Sequence, residues 1–288
     1  MTPVAISAEP FQHKSGLPVR RIEPPHALVP LDLSELWEHR ELLYFLLWRE
    51  VKVRYKQTAL GVVWALIQPF FTMVVFTVVF SRFGRVPSDG LPYPVFAFSA
   101  LLPWQLFAFA LTESSNSVVA NQRLITKVYF PRLIIPLAAV LVGLADFSVG
   151  FGLLVALMAY YGTMPGAAVL TLPIWTLLAV ATASAVGLWL SALNVRYRDV
   201  RYTVPFLVQL WMFATPVAYP LSVVPESWRP LYALNPMVGV IEGFRWALLG
   251  NGPAPGLAVA ISAAVVLAIL VSGLFYFRRT ELTFADVV

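Results

Sequence analysis

Residues 133–160, LIIPLAAVLVGLADFSVGFGLLVALMAY, carry a single charge, Asp146, in 28 positions. A helix needs about 20 apolar residues to cross the hydrocarbon core of a bilayer, so this run is long enough to span. Five further runs, at residues 59–80, 94–112, 167–193, 202–225 and 253–277, contain no charge at all. The pattern predicts an all-α integral membrane protein with six spans within residues 58–277, and an even number puts both termini on one side. Composition agrees. Of the 288 residues 59% are hydrophobic and 12% charged, against about 45–50% and about 25% in an ordinary soluble domain.

Orientation follows from the cations between the spans. Sixteen of the 20 Lys and Arg fall before the first run, in the second-to-third and fourth-to-fifth loops, and after the last run. Only Arg82, Arg85, Arg229 and Arg245 lie on the other side. Both termini are therefore expected in the cytoplasm. The net charge of +5 in so apolar a chain points to anionic lipid rather than nucleic acid.

Residues 1–30 hold six of the 23 prolines and no long apolar stretch, and are read as a disordered cytoplasmic tail. Residues 278–288 form a second cytoplasmic tail. Residues 31–57 differ from both: Leu36, Leu43, Leu47, Val51 and Tyr55 recur at spacings of seven and four, with Trp37, Tyr44 and Trp48 beside them. Arg40, Arg49, Lys52, Arg54 and Lys56 sit mostly elsewhere. Such a helix either lies in the headgroup plane or packs on protein, and aromatics with cations favour the interface. Between the fifth and sixth runs, prolines 216, 220, 225, 230 and 236 forbid a continuous helix, while residues 237–249 are apolar but too short to cross. Two short re-entrant helices at 225–249 fit, with a surface-lying loop as the alternative.

Chemistry is sparse. There is no cysteine, and His13, His26 and His39 all lie in the first forty residues, so no metal site is expected within the spans. No G-x-x-x-x-G-K-[ST] loop or H-E-x-x-H pair occurs. The chain is thus read as a non-enzyme that does not hydrolyse ATP by itself and binds no cofactor. Glu113 is either a solvated helix end or a functional acid; Asp146 is either a buried acid bonded to a neighbouring helix or a proton-relay group. The aromatics Trp64, Phe70, Phe71, Trp104, Trp211, Phe213 and Tyr219 either face lipid and pack, or line a conduit on whose rings sugars stack.

Four segments, WREVKVRYKQTALGVVWALIQPF (48–70), NQRLITKVYFPRLIIP (121–136), LNVRYRDVRYTVPFLVQLWMFATPVAYP (193–220) and NPMVGVIEGFRWALLG (235–250), resemble the permease subunits of ABC transporters that export lipid-linked polysaccharides: O antigens, capsules and teichoic acids. The resemblance runs from about residue 40 to 277. It implies a homodimer in the bacterial inner membrane working with two copies of a separate ATPase subunit, which would bind the ATP and Mg. It also implies a coupling helix at about 121–131, with Asn121, Arg123, Lys127, Tyr129 and Phe130 against the ATPase and Arg196, Arg198 and Asp199 as a second contact. Arg49, Lys52, Arg54 and Lys56 would meet the pyrophosphate of the lipid carrier, an undecaprenyl-type lipid, since guanidinium and ammonium groups suit it by charge and geometry. Asn235, Pro236, Glu242 and Arg245 would belong to a periplasmic gate. A small-amphiphile exporter shares the same plan, and a membrane-embedded transferase would need paired acids or histidines that the loops lack.

Overall fold

The computed structural model describes residues 33–56, 61–250 and 255–284, and the tail expected at 1–30 lies outside them. Every regular element among the described residues is helical. Five helices are long and apolar enough to cross a membrane: Leu66–Phe83, Tyr93–Ala120, Ile134–Tyr160, Ala167–Arg196 and Ala258–Glu281. The protein is a multi-pass membrane protein.

Helices α1 (Leu33–Glu38) and α2 (Arg40–Lys56) form the segment read as interfacial. α2 buries Leu46 against the protein and leaves Tyr44, Phe45 and Trp48 exposed. α3 (Gly61–Phe76) contains Pro69 and widens into a π-helical stretch, Thr77–Phe83. α4 (Tyr93–Ala120) is the central helix, buried along most of its length. Its small and hydroxylated residues make this possible. Ser99, Ser115 and Ser117 donate to carbonyls of their own helix, at 2.7–2.8 Å from Phe96, Thr112 and Ser114, so their hydroxyls need no water. The close approach is strict at one point. A Cβ on Gly187 would come within 2.6 Å of the Ser114 hydroxyl.

α5 (Gln122–Ile125) is a single turn after α4, and α6 (Ile134–Tyr160) runs back beside it. A 3₁₀ turn, Ala167–Thr171, leads into α7 (Leu172–Arg196). The apolar run at 202–225 differs from its reading as one continuous span. It forms α8 (Val200–Phe213), 14 residues and about 21 Å long at 1.5 Å per residue, followed by an irregular stretch. The reason is Pro216, which disfavours helical geometry at Thr215, with Pro220 soon after. Apolar composition marks where chain can lie in lipid, not where helix ends. α9 (Arg229–Ala233) and α10 (Pro236–Leu249) follow, then α11 (Leu257–Glu281). α10 ends on Gly250 at φ 65°, a left-handed residue whose N–H bonds the Trp246 carbonyl.

α4 serves as a ruler for the rest. Near its Ala120 end, Asn194 of α7 donates to the Ser115 carbonyl at 2.9 Å and to Asn116 Oδ1 at 3.1 Å. Midway, the Trp211 ring of α8 packs edge-on against Phe107, centroids 4.9 Å apart. At the other end, Tyr93 Oη donates to the Ala218 carbonyl at 2.8 Å. Between Asn194 and Ala218 the chain thus climbs 22 residues of α4, about 33 Å. The described chain ends meet at the Ala120 end, where Arg278 of α11 lies 3.4 Å from Glu35 of α1 and 2.7 Å from Glu281.

Candidate substrate pathway and coupling surface

At the Ala120 end, α2 leans on the groove between α4 and α6. Arg49 lies 2.6 Å from Glu50 and donates to Asn121 Oδ1 at 3.0 Å. Five residues on, Arg54 pairs with Asp146 at 2.7 Å and stacks over Phe109, its guanidinium carbon 4.4 Å from the ring centroid. Tyr55 donates its phenolic proton to the same carboxylate. Burial, and then this bond, push the Tyr55 phenol well above its ordinary pKa. Asp146 is therefore an acid held by the neighbouring helix, and its partners come from the segment read as interfacial. Since Phe109 and Asp146 sit well along α4 and α6 from the Ala120 end, α2 climbs the groove.

The four cations expected to share one role are split. Arg49 and Arg54 are engaged with protein groups, whereas Lys52 and Lys56 are exposed and have no ion-pair partner among the described residues. Arg49, Arg54 and Glu113 line a cavity of about 190 Å³ between α2, α4 and α6.

The α4–α6 connection presents Arg123, Lys127, Val128 and Tyr129 outward, Tyr129 being 80% exposed. Phe130, expected on the same contact surface, is instead buried with Ile125, Leu133 and Val118. Its ring anchors the loop that Tyr129 projects from. Arg196, Arg198 and Asp199 are exposed on the α7–α8 turn. Gln122 and Arg198 line one cavity of about 380 Å³ with Arg201 and Tyr202, so the two loops read as coupling elements adjoin.

Of the aromatics, Trp104 is 3% exposed and packs on Phe107, so it belongs to the interior of the chain and not to a channel wall. The Trp64 side chain lies outside the described residues. Phe70 and Phe71 are exposed on α3. On α8, Tyr202, Phe206 and Phe213 are exposed in one stripe, and Gln209 falls within it at helical spacing. Composition alone did not single out Gln209. Its signal is an amide in an otherwise apolar run, a group that is costly against lipid. Trp211 is half-buried, and Tyr219 donates to the Phe213 carbonyl at 3.0 Å while its hydroxyl lies 3.2 Å from that of Tyr232.

At the Tyr93 end, Asn235 caps α10. Its Oδ1 accepts from Met237 N at 3.1 Å and from the Trp211 indole at 2.9 Å, and its Nδ2 donates to Thr215 Oγ1 at 2.9 Å. Pro236 occupies the first helical position, where a missing N–H costs nothing. Arg245 is 7% exposed. It donates to the Val217 carbonyl at 2.8 Å and the Tyr219 carbonyl at 3.2 Å, pairs with Glu242 at 3.2 Å, and lies over Phe96. One guanidinium thus ties α10 to the irregular stretch after α8. The Glu242–Arg245 pair is legible at a spacing of three, but Trp211, Thr215, Val217 and Tyr219 lie 20 to 28 residues from Asn235 or Arg245 and could not be read from sequence.

Residues 41–249 match the ABC-2 type transporter family. The chain is 34% identical over 254 residues to the O-antigen export system permease protein RfbA of Myxococcus xanthus, covering 86% of this chain and 96% of the relative. It is 29% identical over 249 residues to the protein of the same name from Klebsiella pneumoniae, covering 86% and 95%. With the polysialic acid transport protein KpsM of Escherichia coli it shares 23% over 240 residues, covering 81% and 91%. These relatives are transporter permeases. An all-helical membrane chain with exposed loops at one end, a tied helical pair at the other, and a family match over most of its length is a member of the ABC-2 type transporter family.

Proposed function

We propose that this chain is the membrane-spanning subunit of an ABC transporter that exports a lipid-linked polysaccharide of the O-antigen or capsule class, as a homodimer with two copies of a separate ATPase. The similarity over 86% of the chain to O-antigen export permeases carries the reading. The missing phosphate-binding loop agrees with ATP and Mg being held by the partner.

Six crossings remain the preferred topology, with α8 and the irregular stretch to Ala218 together making the fifth. The chain climbs about 33 Å along α4 between Asn194, at the end of α7, and Ala218, which matches a hydrocarbon core of about 30 Å. Irregular backbone at such depth is tolerated where protein or a water-filled cavity meets it, and Arg245 supplies that contact at Val217 and Tyr219. On this topology the Ala120 end faces the cytoplasm of a bacterial inner membrane, and α9 and α10 are the re-entrant gate.

The α8 stripe with Gln209 is the side we assign to the conduit, joined by Phe70 and Phe71 of α3 from each protomer. Lys52 and Lys56, with Arg49, would meet the lipid pyrophosphate, while Arg54 holds α2 to α6. Tyr129, Arg123 and Lys127, with the Arg196–Asp199 turn, would contact the ATPase. The direct test is gene inactivation in the native host. Surface polysaccharide is expected to vanish and its lipid-linked form to accumulate at the inner face; unchanged surface polysaccharide would overturn the export reading.

A further inference from the structure

A cavity of about 640 Å³ opens at the Tyr93 end of α4, between α10, the start of α11 and the loops at Asp89 and Ser222. Its size falls within the range of about 300–1,000 Å³ common for small-ligand sites. Its lining is mostly apolar, with Phe96 and Trp246, and carries two carboxylates, Asp89 and Glu242, against two guanidinia, Arg229 and Arg245. The charges balance, so the chemistry favours a neutral ligand rich in hydroxyls over a free anion.

Trp246 and Glu242 have unused capacity there. The Trp246 indole lines this cavity, makes no ring stack and donates to no acceptor among the described residues. Glu242 spends one carboxylate oxygen on Arg245 and is 30% exposed, so its other oxygen can accept from a ligand hydroxyl. A pyranose offers an apolar C–H face for a ring and hydroxyls for carboxylates and guanidinia, which is the combination this cavity presents.

We propose that this outer cavity binds one or two sugar units of the emerging polysaccharide, with Trp246 as the stacking ring and Glu242 and Asp89 as hydroxyl partners. The inference rests on the export reading and extends it: the gate holds the chain as well as closing over it. Binding beside the α9–α10 pair would keep the leading units from sliding back between ATP-driven steps.

The test is site-specific cross-linking in exporting cells, with p-benzoylphenylalanine in place of Trp246, of Phe213 on the α8 stripe, or of Phe275 on the exposed face of α11. Irradiation is expected to join glycan to the permease at position 246, in a manner dependent on the ATPase and on glycan synthesis, and not at position 275. Glycan adducts at 213 without any at 246 would overturn the cavity proposal and leave the export reading standing. Adducts at 246 to lipid or to another protein alone would also overturn it. Should the analogue at 246 block export, the purified permease is titrated with polysaccharide released from its lipid. Trp246→Phe is expected to bind within two-fold of the unaltered chain and Trp246→Ala at least five-fold more weakly; equal binding by Trp246→Ala overturns the proposal. Loss of surface polysaccharide on gene inactivation tests the export reading separately.

Discussion

The guanidinium of Arg54, near the end of α2, lies 2.7 Å from the carboxylate of Asp146, the thirteenth residue of α6. An acid in the middle of a span is thereby neutralised by a residue from outside the spans. Removing either partner leaves the other charge in an apolar groove, although Arg54 is partly exposed and solvent screens the pair. Arg54→Met and Asp146→Leu are each expected to destabilise the protein by about 1–2 kcal/mol. The combined Arg54→Met, Asp146→Leu change should recover part of that loss. Thermal unfolding of the purified permease gives all four corners of the cycle, and strict additivity would mean that the pair does not act as one.

Tyr55 gives a pH prediction. Burial and the bond to Asp146 raise its pKa, so the folded chain keeps the phenolic proton after an unfolded chain, titrating near pH 10, has lost it. The contribution of Tyr55 is therefore fully present below about pH 10 and declines above it. The stability difference between the native chain and Tyr55→Phe should stay constant from pH 6 to 9. A difference that shrinks within that window would contradict the assignment.

Tyr129 and Phe130 are neighbours with opposite surroundings. Tyr129→Ala should leave the melting temperature unchanged while reducing co-purification of the ATPase subunit. Phe130→Ala should cost about 3 kcal/mol, as buried aromatic truncations do, and reduce co-purification only through lost stability. A Tyr129→Ala chain that retains the ATPase fully would move the contact elsewhere.

Asn235 joins three segments. Asn235→Ala removes the α10 cap, worth about 1 kcal/mol, and leaves the Trp211 indole unpaired at a cost of about 1–3 kcal/mol. Trp211→Phe keeps the ring contact with Phe107 and should be the milder change. Melting curves of the two variants decide the order.

Arg245→Lys should not rescue what Arg245→Met loses. An ammonium cannot reproduce the planar fork that reaches both Val217 and Tyr219. Both variants are expected to make residues 214–224 of the purified permease more susceptible to protease, with Arg245→Lys closer to Arg245→Met than to the native chain.

The helical, multi-pass character was legible because apolar runs of span length need no tertiary knowledge. The uneven break in the fifth run was less so, since 202–225 is uniformly apolar and only Pro216 marks where the helix must stop. Arg49, Lys52, Arg54 and Lys56 read as one cluster because all four are basic and near in sequence. Which of them are engaged depends on Glu50, Asn121 and Asp146, and the last two lie far along the chain. Trp104 and Phe130 show the same limit. An aromatic in an apolar run reads alike whether it faces inward or outward, and only the neighbours of α4 and of the α5 turn decide.

The π-helical stretch at Thr77–Phe83 has a consequence of its own. Such a stretch accommodates an additional residue within a helix without breaking it. Each residue turns a helix by about 100°, so this segment sets the angular offset between the half of the span that follows Gly61 and the half that reaches Phe83. Deleting one residue from it would let the helix close to ordinary pitch and re-aim Phe70 and Phe71 relative to the loop that follows Phe83. The wide segment is a place where one insertion or deletion could alter which faces of the two halves align, while the hydrogen-bonded continuity of the span survives.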